Sequence, residues 1–313
     1  MRVHPLAAAL TALLLSIALT ACGGAAAAPG TSRAPGGAPD RTYAVGIRTL
    51  MLDRGHERPL PVTVWYPARS ATPPPSATPM PVRNAEMAAG RFPVVLFSHG
   101  LHSLPELHTP LTSRWAAAGF VVAAPAYPHT KWRAPRFDRA DVRRQPGDAR
   151  WVLEHLRRLD RRVGDRFAGH LALDRVGAAG HSAGGYTTAG LFTPGHPAWL
   201  RAGIVISGGG MAGATYGGPA APQLFLHGDA DRIVPLARGW AAYRQVPWPK
   251  AFLRLANQGH GEFLTPGRRG FEQVVAVTTE FLRWTLYADP AALSALRATA
   301  RSSGIAEFTD QLG

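Results

Sequence analysis

Five consecutive residues, Gly180-His181-Ser182-Ala183-Gly184, place a hydroxyl between glycines at minus two and plus two. A serine on a tight turn from a strand into a helix needs small neighbours at those positions, because the two backbones must close on one another around it. The flanks fit that context: 175–179 reads as a short apolar strand and 183–191 as a helix. The chemistry such a serine offers is nucleophilic attack on an acyl group. A hydroxyl is a weak nucleophile until a base takes its proton, so a histidine oriented by a carboxylate is required as well.

Chain order narrows the partners. With a nucleophile on this turn the order is serine, acid, histidine. Twelve histidines are present, but only His196, His227 and His260 follow Ser182, and the acidic residues between Ser182 and His260 are Asp229 and Asp231. Both aspartates lie after His196 and His227, which leaves His260 as the base and Asp229 or Asp231 as the acid. His260 stands in Asn257-Gln258-Gly259-His260-Gly261, just past the last apolar strand run and so at the carboxyl end of the sheet, where ligands bind in α/β proteins. The oxyanion formed on attack needs preorganised donors. The backbone N–H of Ala183 is one candidate, and the N–H of Leu101, in the loop Ser98-His99-Gly100-Leu101-His102 after an early strand, is the other. For His99 itself the expected role is structural, bracing that loop by hydrogen bonds.

The elements that must position these groups follow from pattern. Apolar runs at 93–98, 120–124, 175–179, 202–207, 223–227 and 252–255 are bounded by Gly or Pro, with helix-compatible stretches at 111–118, 145–159, 183–191, 236–245 and 270–287 between most of them. Continuous apolar strands mark a parallel sheet covered on both faces. Two further β-type runs, 43–52 and 60–66, flank a polar turn and predict an antiparallel pair. A doubly wound α/β sheet with an antiparallel N-terminal edge is expected. The chain divides into a signal peptide (1–21), a flexible Ala/Gly/Pro tether (22–40) and a single domain (41–313), with a Pro-rich surface loop at 67–90 and a tail at 289–313 that docks as a final helix. The short segment 208–221, mostly Gly and Ala, leaves no room for a helical lid, so the site is expected to be open. Tyr127, Tyr186 and Phe263 are the candidate wall residues.

The residues Pro59-Leu60-Pro61-Val62-Thr63-Val64-Trp65-Tyr66-Pro67, the stretch 93–101 and the serine, aspartate and histidine motifs together resemble the α/β-hydrolase branch of platelet-activating-factor acetylhydrolase-like and dienelactone-hydrolase-like proteins. The same motifs are similar to those of cutinase-like polyester hydrolases and chlorophyllase-like proteins. The resemblance spans about 41–287 and implies an α/β-hydrolase fold and a cofactor-free serine esterase; a monomer is expected. His227-Gly228-Asp229-Ala230-Asp231-Arg232-Ile233-Val234-Pro235 resembles the G-x-x-D-x-x-V-P pattern of α/β hydrolases, which assigns the acid to Asp231 and leaves Asp229 a turn role. Dienelactone hydrolases proper carry a cysteine nucleophile where this chain has Ser182. The expected substrate is a small-molecule, lipid or polymer ester; a polyester hydrolase of the same mechanism and a non-catalytic surface lipoprotein that keeps the fold as a binding module are the alternatives.

Composition sets the compartment and excludes other classes. The chain has 313 residues, 46% of them hydrophobic, a net charge of +14 and one cysteine. One cysteine permits neither an internal disulfide nor a C-x-x-C zinc or redox site. No histidine–carboxylate cluster has ligand spacing, so no metal is expected. Lys131 and Lys250 are the only lysines, and the arginines, densest from Arg133 to Arg166, form no basic stripe on a nucleic-acid-binding module, so no nucleic-acid partner is expected. An apolar run of roughly 14 residues after Met1 and Arg2 is too short to span a bilayer comfortably and reads as the core of an export signal. It ends in Leu19-Thr20-Ala21-Cys22, which resembles a bacterial lipobox, so Cys22 is the expected acylation site and the protein is expected outside the cytoplasm, membrane-anchored or secreted. Two acyl chains suffice for stable anchoring. Cys22→Ala is therefore expected to move the protein from the membrane fraction to the soluble fraction on cell fractionation; an unchanged distribution removes the anchor.

Overall fold

A computed structural model describes Met1 and residues 37–55, 58–70, 79–302 and 304–313. The expected signal segment, Cys22 and most of the tether lie outside the described residues. The elements run β1 (Ala44–Asp53), β2 (Pro59–Ala68), β3 (Val82–Arg83), β4 (Phe92–Ser98), α1 (Thr109–Ala117), β5 (Val121–Pro125), α2 (Gln145–Asp160), β6 (Leu171–His181), α3 (Ala183–Leu191), β7 (Leu200–Ile206), β8 (Gln223–Gly228), α4 (Leu236–Gln245), β9 (Lys250–Leu255), α5 (Phe271–Tyr287), α6 (Pro290–Arg301) and β10 (Ala306–Gln311). They build one ten-stranded sheet in the order β10-β9-β8-β7-β6-β4-β5-β2-β1-β3, an α/β-hydrolase fold.

Six central strands, β4 to β9, are parallel to one another, and β1/β2, β2/β5 and β9/β10 pair antiparallel. The central strands are apolar at successive positions because both faces are covered. In β4, Val95 and Phe97 pack with Leu111 and Trp115 of α1 and Val274, Phe281 and Leu282 of α5. Val94 and Leu96 point the other way, onto Val152, Leu153 and Leu156 of α2. The period-two alternation of a strand thus feeds two separate cores. Trp115 is wholly buried, and its indole N–H finds the partner such a group needs in Thr278 Oγ1 at 3.1 Å.

Strand order reverses at β4. From β4 the chain passes through α1 to β5 on one side, then through α2 to β6 on the other. The carboxyl ends of β4 and β6 are therefore the topological switch point, the crevice where open α/β sheets bind ligands. The loop after β4 carries Gly100 and Leu101, and the turn after β6 carries Ser182.

Three expectations change. The segment expected as a surface loop at 67–90 rejoins the fold at its far end: Val82–Arg83 pairs with β1 at Gly46 and Ile47, Ala68 bridges Met87, and Met87 and Ala88 enter the core. The middle of that segment, 71–78, lies outside the described residues. The tail docks as helix α6, as expected, but then adds β10 against β9, a strand whose sequence, AEFTDQ, has no apolar run because it lies at a solvated edge. Finally, the tether ends before Asp40, since Ala38 packs on the core and the Pro39 carbonyl accepts from Arg283 at 3.3 Å.

Candidate active site

Ser182 sits between β6 and α3 with φ +58° and ψ −120°. That left-handed conformation is unusual for a residue with a side chain and marks a strained turn. It is held from both sides: Ser182 N–H donates to the Ile206 carbonyl at 2.9 Å, and its own carbonyl accepts from Gly185 N–H at 2.9 Å. The glycines expected to relieve crowding do so. A Cβ on Gly180 would fall on the Gly184 carbonyl, and one on Gly184 would fall on that of Ser98. Because α3 begins at Ala183, the Ala183 N–H is one of the first-turn donors with no acceptor inside the helix, at the positive end of its dipole.

The loop after β4 passes directly against the nucleophile. A Cβ on Gly100 would stand 3.1 Å from Ser182 Cβ and 3.5 Å from its Oγ, which brings the following residue, Leu101, to the same rim. His99 braces this loop. Its Nδ1–H donates to the Gly100 carbonyl at 2.7 Å and its Nε2 accepts from Tyr127 N–H at 3.1 Å. One nitrogen must donate and the other accept, so the ring fits only when neutral. Burial lowers its pKa to about 4, against the partial support of the Gly100 carbonyl.

At the far rim, His260 Nδ1 lies 2.7 Å from Asp231 Oδ2. The other carboxylate oxygen, Oδ1, accepts from Ile233 N–H at 2.8 Å and Val234 N–H at 2.9 Å. Burial alone would raise the Asp231 pKa, but the His260 hydrogen bond and those two backbone donors outweigh it and hold the group below its ordinary value. Asp231 is thus a carboxylate and can only accept, so His260 donates from Nδ1, and the neutral tautomer that fits this bond carries its lone pair on Nε2. Asp229 points elsewhere. Its oxygens accept from Arg254 Nη2 at 3.1 Å and Asn257 N–H at 2.7 Å, closing the turn between β8 and the His260 loop. The two aspartates, indistinguishable by chain order, are separated by geometry.

Two histidines that sequence order sets aside take part in this framework. His227, at the end of β8 and buried, has Nε2 2.8 Å from the Val234 carbonyl and 3.3 Å from Asp231 Oδ2. A carbonyl cannot donate, so Nε2 carries the proton and steadies the acid-bearing turn. His181, beside Ser182, donates from Nε2 to the His260 carbonyl at 2.7 Å, and the two rings lie 4.8 Å apart. It ties the nucleophile turn to the histidine loop. Burial lowers its pKa to about 4, and that of His227 also falls below the ordinary value through burial. The i,i+4 spacing of His227 and Asp231 across a strand end was the sequence signal available for the first; nothing in sequence marks the second.

Of the expected wall residues, Tyr186 is half-buried with its ring against Gly209. Tyr127 and Phe263 are corrections. Tyr127 has no exposed surface and its hydroxyl pairs with Ser98 Oγ at 2.9 Å, behind the loop it was expected to line. Phe263 is equally buried and belongs to the α1/α5 core. Between Ile206 and Gln223 no helix covers the site. Among the described residues no group of three or more His, Cys, Asp or Glu could hold a metal ion, and no helix is long and apolar enough to cross a membrane.

Residues 50–207, half of the chain, match the family model described as Chlorophyllase. The matched span includes Ser182 and the Gly100–Leu101 loop and ends before Asp231 and His260. No curated protein matches the chain.

The neutral, one-donor, one-acceptor ring of His99 fixes the sign of one pH effect. Its pKa in the fold is below the unfolded value of about 6.5, so the unfolded chain binds more protons between about pH 4 and pH 6.5 and stability falls as pH is lowered through that window. His181 contributes in the same sense. Thermal melting from pH 7 to pH 4 is expected to show that loss, and His99→Asn to lessen its slope while lowering stability at pH 7; a slope unchanged by the substitution contradicts this account.

Proposed function

The chain belongs to the chlorophyllase family of ester-cleaving α/β hydrolases, and from that premise we propose that it is a serine ester hydrolase working through Ser182, His260 and Asp231. The observation that carries the proposal is the 2.7 Å contact between His260 Nδ1 and Asp231 Oδ2, made by a histidine loop that is itself bonded to the residue next to Ser182. His260 Nε2 takes the proton of Ser182 Oγ as that oxygen attacks the ester carbonyl. Asp231 keeps the imidazole in the required tautomer and stabilises the imidazolium. The developing oxyanion is received by the N–H groups of Leu101 and Ala183. His260 then gives its proton to the departing alcohol, leaving an acyl-enzyme on Ser182. Water, activated by the same imidazole, releases the acid and restores the hydroxyl.

Asp231 is held by two backbone N–H donors, and the backbones of Ser182 and His260 are bonded independently of the catalytic contact, which is the preorganisation such catalysis depends on. The lack of a helix over the site supports small or short-chain esters, which need no lid to open. Tyr186 is the candidate wall. Export and acylation of Cys22 would place this activity outside the cytoplasm, at a membrane.

The test is a series of p-nitrophenyl esters, acetyl to palmitoyl, on the purified chain. Hydrolysis biased to short acyl chains and lowered at least ~10⁴-fold by Ser182→Ala is expected; no turnover above that variant would favour a binding module instead. Asp231→Asn forces the wrong histidine tautomer and is expected to cost roughly 10⁴-fold in kcat, whereas Asp229→Asn, which disturbs a turn, should cost less than about 10-fold. Equal losses at the two aspartates would overturn the assignment of the acid.

A further inference from the structure

Between β5 and α2 the chain makes an excursion, 129–144, that the catalytic reading leaves unused. It is the most basic stretch of the described surface, with Lys131, Arg133, Arg136, Arg139, Arg143 and Arg144 against two acids. The two acids offset only part of it. Asp141 is buried and bonded to Arg58 at 2.8 Å, and Asp138 caps the Ala140 N–H at 2.8 Å. Among the described residues Arg133, Arg136, Arg139 and Arg143 form no ion pair, although fifteen arginine–carboxylate pairs occur elsewhere or at Arg144. Set among these charges are two large exposed rings, Trp132 at 53% and Phe137 at 40% of their full accessibility.

The excursion is fastened to the loop beside Ser182. Trp132 N–H donates to the Ser103 carbonyl at 2.9 Å, His102 N–H donates to the Thr130 carbonyl at 2.8 Å, and the Phe137 ring stacks on His102 with centroids 4.1 Å apart. Exposed indole and phenyl rings within a field of unpaired guanidinium groups match the boundary layer of an anionic bilayer, where the rings enter the headgroup region and the arginines meet phosphate. An acidic protein partner fits less well, since the excursion has no open strand edge to pair with and the exposed rings of Trp132 and Phe137 would find no apolar counterpart on an acidic surface. We propose that 129–144 docks the protein on an anionic lipid surface, with the rim of the Ser182 site turned toward it. This goes beyond the ester-hydrolase reading and does not depend on turnover.

The test is co-sedimentation of the full chain, with Cys22→Ala in every sample so that acylation offers no second route. The probes are vesicles of phosphatidylcholine alone and of phosphatidylcholine with equimolar phosphatidylglycerol. The unaltered excursion is expected to bind the mixed vesicles at least ~10-fold more tightly than the neutral ones, and less tightly as salt is raised. Combining Arg133→Ser, Arg136→Ser and Arg139→Ser should weaken binding to the mixed vesicles ~100-fold, and Trp132→Ser alone several-fold, with melting temperature unchanged. A control with Arg158→Ser, Arg161→Ser and Arg162→Ser removes the same charge at the opposite end of α2, at the amino end of the sheet, and should leave binding intact. Equal losses in the two triple variants would reduce the effect to net charge and overturn the proposal. So would indifference to phosphatidylglycerol, or binding of polyglutamate but not of vesicles. A chain that binds mixed vesicles yet cleaves no ester would sink the hydrolase reading and leave this one standing.

Discussion

Everything at the site depends on how closely three backbone segments approach at the carboxyl ends of β4 and β6. The turn at Ser182, the first turn of α3 and the loop after β4 meet where only hydrogen atoms fit, with Gly184 against the Ser98 carbonyl and Gly180 against that of Gly184. A methyl group at either glycine would push α3 off the sheet. The serine would then lose the left-handed conformation that lifts it to the rim, and the helix N-terminus would no longer point its N–H groups there. The costs of that strain are met by the surroundings: β6 lies between β4 and β7, and residues on both faces of these strands are wholly buried. A sheet this heavily packed is what allows one residue to be held in an unfavourable conformation.

Much of this is legible in the sequence, and the reasons differ by residue. Ser182 is announced by local sterics, because the glycine spacing is itself the mechanism. His260 follows from chain order alone, since the fold dictates which partner comes last. Chain order cannot separate Asp229 from Asp231; motif resemblance favours the second, and the geometry that distinguishes them is set by a turn in which Oδ1 of Asp231 collects two backbone N–H groups. The central strands are plain because double-sided burial writes apolar runs. β10 is hidden because an edge strand half in water can be built from Glu, Thr, Asp and Gln.

Tyr127 and Phe263 show where such reading fails. Nearness in sequence to a site loop says nothing about which way a ring turns, and both rings turn inward, Tyr127 to complete a hydrogen bond with Ser98 and Phe263 to fill the core beneath α5. Direction is decided by tertiary packing, which leaves no local mark. His227 is the converse case: order excludes it as the base, correctly, while its contact with Asp231 depends on the register of β8 against the turn that follows.

His181 and His227 give the site a common electrical logic. Each is kept neutral by burial, and each uses an Nε2–H to hold one member of the Asp231–His260 pair: His227 reaches the carboxylate and its turn, His181 the carbonyl of His260 itself. A lysine or arginine in either place would bring a full charge against the imidazole and compete for the carboxylate, whereas an amide would lack the reach of a ring. Neutral imidazole is the side chain that supplies a rigid donor without a charge. The same choice at His99, donor to Gly100 and acceptor from Tyr127, fixes the opposite wall of the cleft. Three uncharged rings thus hold the frame, and one carboxylate sets the proton on the fourth. No arginine or lysine takes part in these bonds; the six basic side chains of the excursion stand beside this ring rather than within it, so the proton that Asp231 and His260 share is set without them.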